Sequence, residues 1–442
     1  MIVGCGYVGL TMAGVLLQEG HTVTCFDVDT EKINRLANHE LYIYEPHLQE
    51  LLDNPHTRTH ISFTQHLESI DDIALFYLCI GTPAHPDGTP NLSFLYQAFY
   101  DIVNACQQRT NPCIICIKST LPPGTTRTLQ DYLCTTNNTH IQIVYNPEFM
   151  REGSAIRDIY NNPIILGSDS IDAINNIESM YQKMFLPDIK IIKTAFETAE
   201  IIKYAWNSFS AIRIAYVNEL AEICREFNAD ITAVVQGFSL SEELLPTNHL
   251  KPGPGYGGSC FPKDTEAFSK ILENHGISPS LVHQAIVSNK NHQERLINDI
   301  MQLLQPSKQE PTSEHKKVVT ILGLAFKAHT NDIRNAPAIE VIKALSTQDV
   351  IIKAYDPQAT RAMKELFPHV SYFDSPYDAV RDADLMVVLT EWPEIKDLDL
   401  NRVSLLCNKR VMVDTKNLYD PIFLKNYQFT YLNMGRCHEA YL

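Results

Sequence analysis

The run Lys251-Pro-Gly-Pro-Gly-Tyr-Gly-Gly-Ser-Cys-Phe-Pro-Lys-Asp264 sets one thiol, Cys260, between a glycine- and proline-rich turn and a segment that reads as a helix start. Pro262 suits the first helical position, and Asp264-Thr-Glu-Ala-Phe-Ser-Lys-Ile-Leu272 continues with helix formers whose apolar members recur at helical spacing. A thiol just ahead of the positive end of a helix, with lysines nearby, is biased towards thiolate, the form that attacks carbonyls. A buried structural cysteine in a tight turn is the alternative. The crowding of glycine and proline over residues 251–258 brings the two readings to near parity.

At the amino terminus, the apolar Met1-Ile-Val3 leads into Gly4-Cys-Gly6-Tyr7-Val8-Gly9, then a helix-like run to Gly20, then the strand-like His21-Thr-Val-Thr-Cys-Phe26. Asp27 ends that strand, eighteen residues past Gly9. Strand, glycine turn, helix, strand and acid together describe a dinucleotide site. The glycines let a pyrophosphate approach backbone N–H groups at a helix N-terminus, and the carboxylate accepts from the adenosine ribose. Asp27 would repel a 2′-phosphate and Val28-Asp29 offers it no cation, so NAD is expected over NADP, a preference that Lys32 tempers.

The chain has 442 residues, 45% of them hydrophobic, enough for two or three domains with a large core. Its net charge of −16 argues against nucleic acid or anionic membrane as a partner. Anionic ligands must therefore be held by local helix N-termini and clustered cations. No apolar stretch reaches spanning length and no signal peptide precedes the first strand, so a cytoplasmic protein is expected. The eleven cysteines are odd in number and scattered through apolar segments, which favours thiols over disulfides. Cys113 and Cys116 form a CxxC within a strand-like run, where an odd separation points them to opposite faces. The sixteen histidines give no compact ligand cluster, and no metal is expected.

Strand-like runs near 73–80, 113–118, 141–145 and 163–167 alternate with helical ones near 30–38, 92–107, 125–135 and 170–185, the rhythm of a doubly wound sheet. From Phe196 to about Phe227 one long helix is expected, with further helices to about Gln305; a helix-only segment of this kind links domains or forms a dimer interface. The polar stretch 305–317, with two prolines, reads as a linker. Strands are expected again at Val318–Leu322, Val350–Tyr355, Leu385–Leu389 and Arg410–Val413 in a second α/β domain that lacks a full glycine fingerprint and need not bind a dinucleotide.

Taken together, Gly4-Cys-Gly-Tyr-Val-Gly-Leu10, Ile43-Tyr-Glu-Pro46, Gly81-Thr-Pro83, Lys118-Ser-Thr120, Asn146-Pro-Glu-Phe-Met-Arg-Glu-Gly153, Thr198-Ala-Glu-Ile-Ile-Lys203 with Asn207, Gly255–Asp264, and Gly323-Leu-Ala-Phe-Lys327 with Asp332-Ile-Arg334 resemble the UDP-glucose/GDP-mannose dehydrogenase family over essentially the whole chain. The resemblance implies two doubly wound Rossmann-like domains joined by a long central helix and a helical dimerisation segment. The parts are an NAD-binding domain over 1–194, a central domain over 195–304, a linker over 305–317 and a nucleotide-sugar domain over 318–442. It also implies oxidation of the C6 hydroxymethyl of a nucleotide sugar to a carboxylate, with reduction of two NAD⁺, in a homodimer or larger homo-oligomer.

The family's chemistry assigns roles. Cys260 captures the C6 aldehyde as a thiohemiacetal, whose oxidation gives a thioester. Lys203 stabilises charge on the C6 oxygen, with Asn207 one helical turn away. Glu148 serves acid/base steps in hydrolysis, while Thr120 and Asp264 hold water. Carry-over places Gly4, Gly6, Tyr7, Val8, Gly9, Asp27, Lys32, Thr82, Ser119, Thr120, Glu152 and Arg334 against NAD. It places Glu148, Phe149, Met150, Arg151, Glu152, Lys203, Asn207, Lys251, Gly253, Gly255, Tyr256, Gly257, Phe326 and Lys327 against the nucleotide sugar. The glycines are expected to bring N–H groups to a diphosphate. Lys263 is either a further contact or a solvated side chain.

Three departures from the family pattern stand out. Only Met1-Ile2-Val3 precede Gly4, so a central strand is expected to be short. Leu240–His249 replaces the Asp-x-Arg-Ile-Gly pattern, leaving no counterpart for its arginine. Asp414-Thr-Lys-Asn417 stands where Asp-Gly-Arg-Asn is common, and lysine cannot reproduce arginine's bidentate fork. UDP-glucose is favoured as substrate, with GDP-mannose and UDP-N-acetyl-hexosamines open. A β-hydroxyacid or phosphogluconate-type dehydrogenase, transferring one hydride without a cysteine, is the more distant alternative.

Overall fold

The computed structural model describes residues 1–67, 70–109, 111–185, 189–239, 250–305 and 316–436. All of Leu240–His249 and most of the polar stretch 305–317 lie outside the described residues. The chain forms two compact units. The first comprises Met1–Trp206 with Glu266–His275, and the second Asn207–Thr265 with Gly276–Leu442.

The first unit is built on an eight-stranded sheet: β1 (Ile2–Val3), β2 (Val23–Phe26), β3 (Ile61–Thr64), β4 (Leu75–Leu78), β5 (Cys113–Ile117), β6 (Ile141–Tyr145), β7 (Ile164–Gly167) and β8 (Ile191–Thr194). They lie in the order β3-β2-β1-β4-β5-β6-β7-β8. All neighbours run parallel except β6 and β7, which meet antiparallel at Tyr145 and Gly167. That reversal was not foreseen, because a run such as Ile164-Ile-Leu-Gly167 is equally apolar in either direction. β5 is buried at every residue, as a strand covered by helices on both faces must be. Cys113 and Cys116 enter two different apolar clusters, one on each face, as the two-residue period requires.

β1 is short but central, with Ile2 paired to both Cys25 and Tyr77. The helix that follows, Tyr7–Gln18, is buried from Gly9 to Leu17, so its sequence is apolar nearly all round. Strand order reverses between β1 and β4, and loops at the carboxyl ends there form the usual ligand crevice of such sheets.

The second unit holds a parallel sheet of six strands: β9 (Lys317–Leu322), β10 (Val350–Tyr355), β11 (Ser371–Tyr372), β12 (Leu385–Val388), β13 (Val411–Asp414) and β14 (Thr430–Asn433). Their order, β11-β10-β9-β12-β13-β14, repeats that of β3-β2-β1-β4-β5-β6. Both units are therefore doubly wound, as expected.

One continuous helix, Phe196–Glu226, begins in the first unit and runs on into the second. Its first turns are fixed by Glu200, whose buried carboxylate accepts from Gly124 N at 2.6 Å, Thr126 N at 2.8 Å and Thr126 Oγ1 at 2.6 Å. Glu200 thereby caps the Thr125–Thr135 helix and sets the position of Lys203, three residues on. Helices Ile231–Ser239, Phe261–Asn274 and Leu281–Leu304 complete the middle segment among the described residues.

Candidate active site

The glycine turn after β1 has the shape a dinucleotide needs. Gly4 adopts φ +99°, and a Cβ there would stand 2.7 Å from Cys79 O. A Cβ on Gly9 would come within 2.0 Å of Gly4 O, so only glycine lets helix and turn pack this closely. Gly6, at the helix cap, faces open space where a pyrophosphate can reach the helix N-terminus. Val8 packs against the core behind it.

Asp27 Oδ2 accepts from Cys5 N at 2.8 Å and Oδ1 from Asp29 N at 3.0 Å, which fixes the carboxylate beside the turn. Lys32 Nζ lies 3.7 Å from Asp27 and 3.9 Å from Asp29. Its charge is offset by two carboxylates, which agrees with a non-phosphorylated ribose. These features fit NAD.

Tyr7 shows what sequence reasoning missed. Its hydroxyl donates to the Glu45 carboxylate and accepts from Gly153 N at 2.9 Å; Glu45 also accepts from Gly153 N at 2.7 Å and Ile156 N at 3.3 Å. Burial, together with the negative charge of Glu45 and more weakly Glu152, pushes the Tyr7 phenol far above its usual range, leaving it a neutral donor. Glu45, quoted only as part of Ile43-Tyr-Glu-Pro46, thus ties the nucleotide helix to the loop after Glu148. The signal available in sequence was a carboxylate in an otherwise apolar and aromatic run.

Across the strand ends, Ser119 Oγ donates to Ile80 O at 2.7 Å and Thr82 Oγ1 to Thr120 O at 3.2 Å, fastening the loops after β4 and β5 to each other. Beyond β6, Lys203 Nζ donates to Glu148 O at 2.5 Å and Oε1 at 2.8 Å, and Met150 N donates to Glu148 Oε2 at 2.7 Å. Lysine and glutamate are both buried. The ammonium lies 5.3 Å from the centre of the Phe149 ring, which packs on Trp206. Arg151, expected to contact substrate, has its fork on the buried Asp158, with Nε–Oδ2 2.9 Å and Nη2–Oδ1 2.7 Å.

Lys118 was also given no role. It is buried at the end of β5 and donates to Asn146 Oδ1 at 2.9 Å, an oxygen that also accepts from Tyr181 at 2.6 Å. Burial pulls its ammonium pKa down, Glu148 opposes that, and the nearby Lys203 adds to it.

In the second unit, Cys260 is half-buried immediately ahead of the Phe261–Asn274 helix, with Ser259 Oγ 3.5 Å from its sulfur. Its carbonyl accepts from Asp264 N at 2.9 Å, closing the first turn. The Asp264 carboxylate is buried, accepts from Asn207 Nδ2 at 2.6 Å, and pairs with Lys263 Nζ. Of the two expectations for Lys263, free solvation is thus set aside.

The glycines upstream serve close packing more than open donation. A Cβ on Gly257 would stand 2.2 Å from Asn335 O, and one on Gly258 2.8 Å from the Phe326 ring. Gly253 N donates to Asn218 Oδ1 at 2.9 Å, Tyr256 N to Asn289 Oδ1 at 2.8 Å and Gly258 N to Arg334 O at 2.9 Å. The expectation that the glycines over 253–257 present their N–H groups to a diphosphate is corrected at Gly253, whose N–H is already bonded within the protein. Gly255, at φ +100°, packs on Asn289 and Gln293. Lys251 is exposed, and Lys327 Nζ lies 5.5 Å from the Phe326 ring centre. Arg334, expected to contact NAD, is exposed with its guanidinium on Asp332, Nη2–Oδ2 2.6 Å.

Lys416, from the departing Asp414-Thr-Lys-Asn417, pairs with Glu391 at 2.8 Å and reaches the same loop, 3.7 Å from where a Gly253 Cβ would lie. Burial would raise the Glu391 carboxyl, but Lys416 and then Lys327 bring it below its usual range. At the switch point of this sheet, Asp356 mimics Asp27. It accepts from Leu324 N, Ala325 N, Gln358 N, Ala359 N and Trp392 Nε1 at 2.7–3.0 Å and is buried. A carboxylate so fully engaged has no capacity for a ribose. His56 and His60 have the spacing of a metal-binding pair, but no α-helix carries them: His60 ends the single 3-10 turn Arg58–His60 and His56 precedes it. Among the described residues no group of three or more metal-ligating side chains comes together, and no helix is long and apolar enough to cross a membrane.

Three sequence profiles of the UDP-glucose/GDP-mannose dehydrogenase family match the chain: the NAD binding domain over residues 1–185, the central domain over 197–291 and the UDP binding domain over 320–421. A UDP-glucose 6-dehydrogenase of Rickettsia conorii is 35% identical over 441 residues, covering 98% of both chains. The UDP-glucose 6-dehydrogenase TuaD of Bacillus subtilis is 34% identical over 440 residues, 98% of this chain and 92% of the relative. The structure of a UDP-glucose dehydrogenase from the archaeon Pyrobaculum islandicum superposes with a TM-score of 0.86 at 26% identity, covering 98% of this chain and 97% of that one. The chain belongs to the UDP-glucose/GDP-mannose dehydrogenase family and is an NAD-dependent nucleotide-sugar dehydrogenase.

Proposed function

We propose that the protein oxidises the C6 hydroxymethyl of UDP-glucose to the carboxylate in two two-electron steps, with the sugar held on Cys260 between them. The observation that carries this reading is a half-buried thiol at the start of a helix whose first turn also bears the buried Asp264, bonded to Asn207 of the long helix. UDP-glucose is preferred among nucleotide sugars because relatives of about one-third identity over the full chain bear that name. The division into parts over 1–194, 195–304 and 318–442 is supported by the three profile matches.

Bound NAD supplies the two-electron acceptor, one molecule for each oxidation. Loss of hydride from C6 and of the hydroxyl proton gives the aldehyde, to which the Cys260 thiolate adds. Protonation of the oxygen completes a thiohemiacetal, which still carries one C6 hydrogen. Its oxidation leaves a thioester. Water then adds at C6 and the C–S bond breaks, returning the thiolate and releasing the carboxylate. Lys203, a buried and positioned cation, stabilises negative charge on the C6 oxygen. Glu148 takes the proton of the attacking water, with Thr120 and Asp264 as its holders. Counting NADH per sugar over a panel of UDP- and GDP-sugars tests the scheme. Two per sugar is expected, with UDP-glucose the best substrate. One per sugar rejects the cysteine route, and preference for GDP-mannose or a UDP-N-acetyl-hexosamine moves the substrate assignment.

A second copy of the chain is the proposed partner for the long helix. Phe209, Tyr216 and Ile223 recur every seven residues and, with Phe227, remain 49–76% exposed. A heptad-spaced apolar stripe of this kind buries well against another helix. Light scattering is expected to give at least a dimer, and Tyr216→Asp to shift it towards monomer; a monomeric parent protein refutes this.

A further inference from the structure

The peptide groups of Gly253 are held on both sides by buried side chains that no part of the chemistry above uses. The N–H donates to Asn218 Oδ1 at 2.9 Å, and the carbonyl accepts from His292 Nε2 at 2.7 Å. His292 is only 4% exposed. Its other ring nitrogen, Nδ1, faces Glu222 Oε1 at 2.6 Å, and the second oxygen of Glu222 pairs with Arg295 at 2.8 Å. We propose that His292, backed by Glu222, is a positioning residue for nucleotide-sugar binding, locking the 251–258 loop in its receiving shape. The inference rests on the reading of that loop as a substrate contact.

Three features of the site support it. A carbonyl can only accept, so the bond to Gly253 fixes the Nε2 proton, and the carboxylate behind Nδ1 orients the ring, as acids do for functional histidines elsewhere. Burial would raise the Glu222 carboxyl, but His292 and then Arg295 bring it below its usual range, so it stays an ionised acceptor. Asn289, one turn earlier on the same helix, donates to Tyr256 O at 3.2 Å and accepts from Tyr256 N at 2.8 Å. The helix Leu281–Leu304 thus grips the loop at two peptides three residues apart.

The held peptide matters because Gly253 stands between Pro252 and Pro254 and beside Lys416. A loop ordered in advance loses less conformational entropy when ligand binds, so its clamp acts on affinity more than on the chemical step. Cys260 lies seven residues on, past Gly257 and Gly258, which have their own packing against Asn335 and Phe326.

The test compares His292→Leu, His292→Gln and Glu222→Gln with the parent protein, using UDP-glucose or whichever nucleotide sugar the parent oxidises. His292→Leu removes both bonds. It is expected to raise KM for the sugar about tenfold or more, with kcat and the KM for NAD within about threefold. His292→Gln keeps a donor for the Gly253 carbonyl and should recover most of that loss. Glu222→Gln, which leaves the histidine in place, should raise the sugar KM by a smaller factor. If a folded His292→Leu leaves the sugar KM unchanged, or lowers kcat and both affinities together, the proposal is overturned. Should His292→Leu not fold, the Gln variants decide: an unchanged sugar KM in Glu222→Gln, or a tenfold loss in His292→Gln, overturns it. A parent protein that oxidises no nucleotide sugar refutes the functional reading itself, an outcome separate from any variant.

Discussion

Cys260→Ser is expected to lower conversion of the nucleotide sugar to its acid by on the order of 10³-fold or more, while NAD binding is unchanged. The substitution keeps size and polarity but replaces a thiol, whose anion is the attacking form, with a hydroxyl that is scarcely ionised near neutral pH. The aldehyde then has no covalent anchor for its second oxidation. Because the side chain is half-exposed and lies at a helix start, the change in stability should stay within about 0.5 kcal/mol. Quantifying acid, NADH and NAD affinity on one preparation separates these effects. Full turnover in the serine variant would contradict the assignment.

Lys203→Met is the second large effect, and it should have two separable parts. The ammonium is buried with Glu148, so its removal strands a carboxylate without its partner, at a cost of about 3–5 kcal/mol in stability. It should also lower kcat by about 10²- to 10³-fold, the usual consequence of losing a preorganised group that stabilises an oxyanion. Adding Glu148→Gln removes the stranded charge, so the double variant should regain much of its melting temperature but none of its activity. If activity returned together with stability, the pair would be a structural ion pair and the catalytic role of Lys203 would fail.

Helix and strand positions were legible because they depend on neighbours in sequence. The apolar period placed a long helix from Phe196 to about Phe227, where the structure has Phe196–Glu226, Pro262 marked the start of the Phe261–Asn274 helix, and the alternation over 73–185 and 318–413 described two wound sheets. The two-residue period even separated Cys113 from Cys116. The short strands Ile61–Thr64 and Ile191–Thr194 at the sheet edges carried too few apolar residues to stand out. Cys260 stood out from its own setting ahead of a helix start, whereas Lys203, Asn207, Asp264 and Glu148 were marked only by the resemblance of their blocks to the family pattern.

What the sequence by itself determined is this inventory of elements and reactive types, together with the glycine turn and Asp27 that suit NAD. Only the tertiary structure decided which partners each side chain meets: Glu45 on Tyr7 and Gly153, Lys118 on Asn146, Arg151 on Asp158, and His292 on Gly253. It also showed that several glycine-loop N–H groups were already bonded within the protein. The physical reason is range. Backbone propensity and apolar period act over a few residues, whereas these bonds join groups 7 to 108 residues apart, and such pairs exist only after the chain has folded.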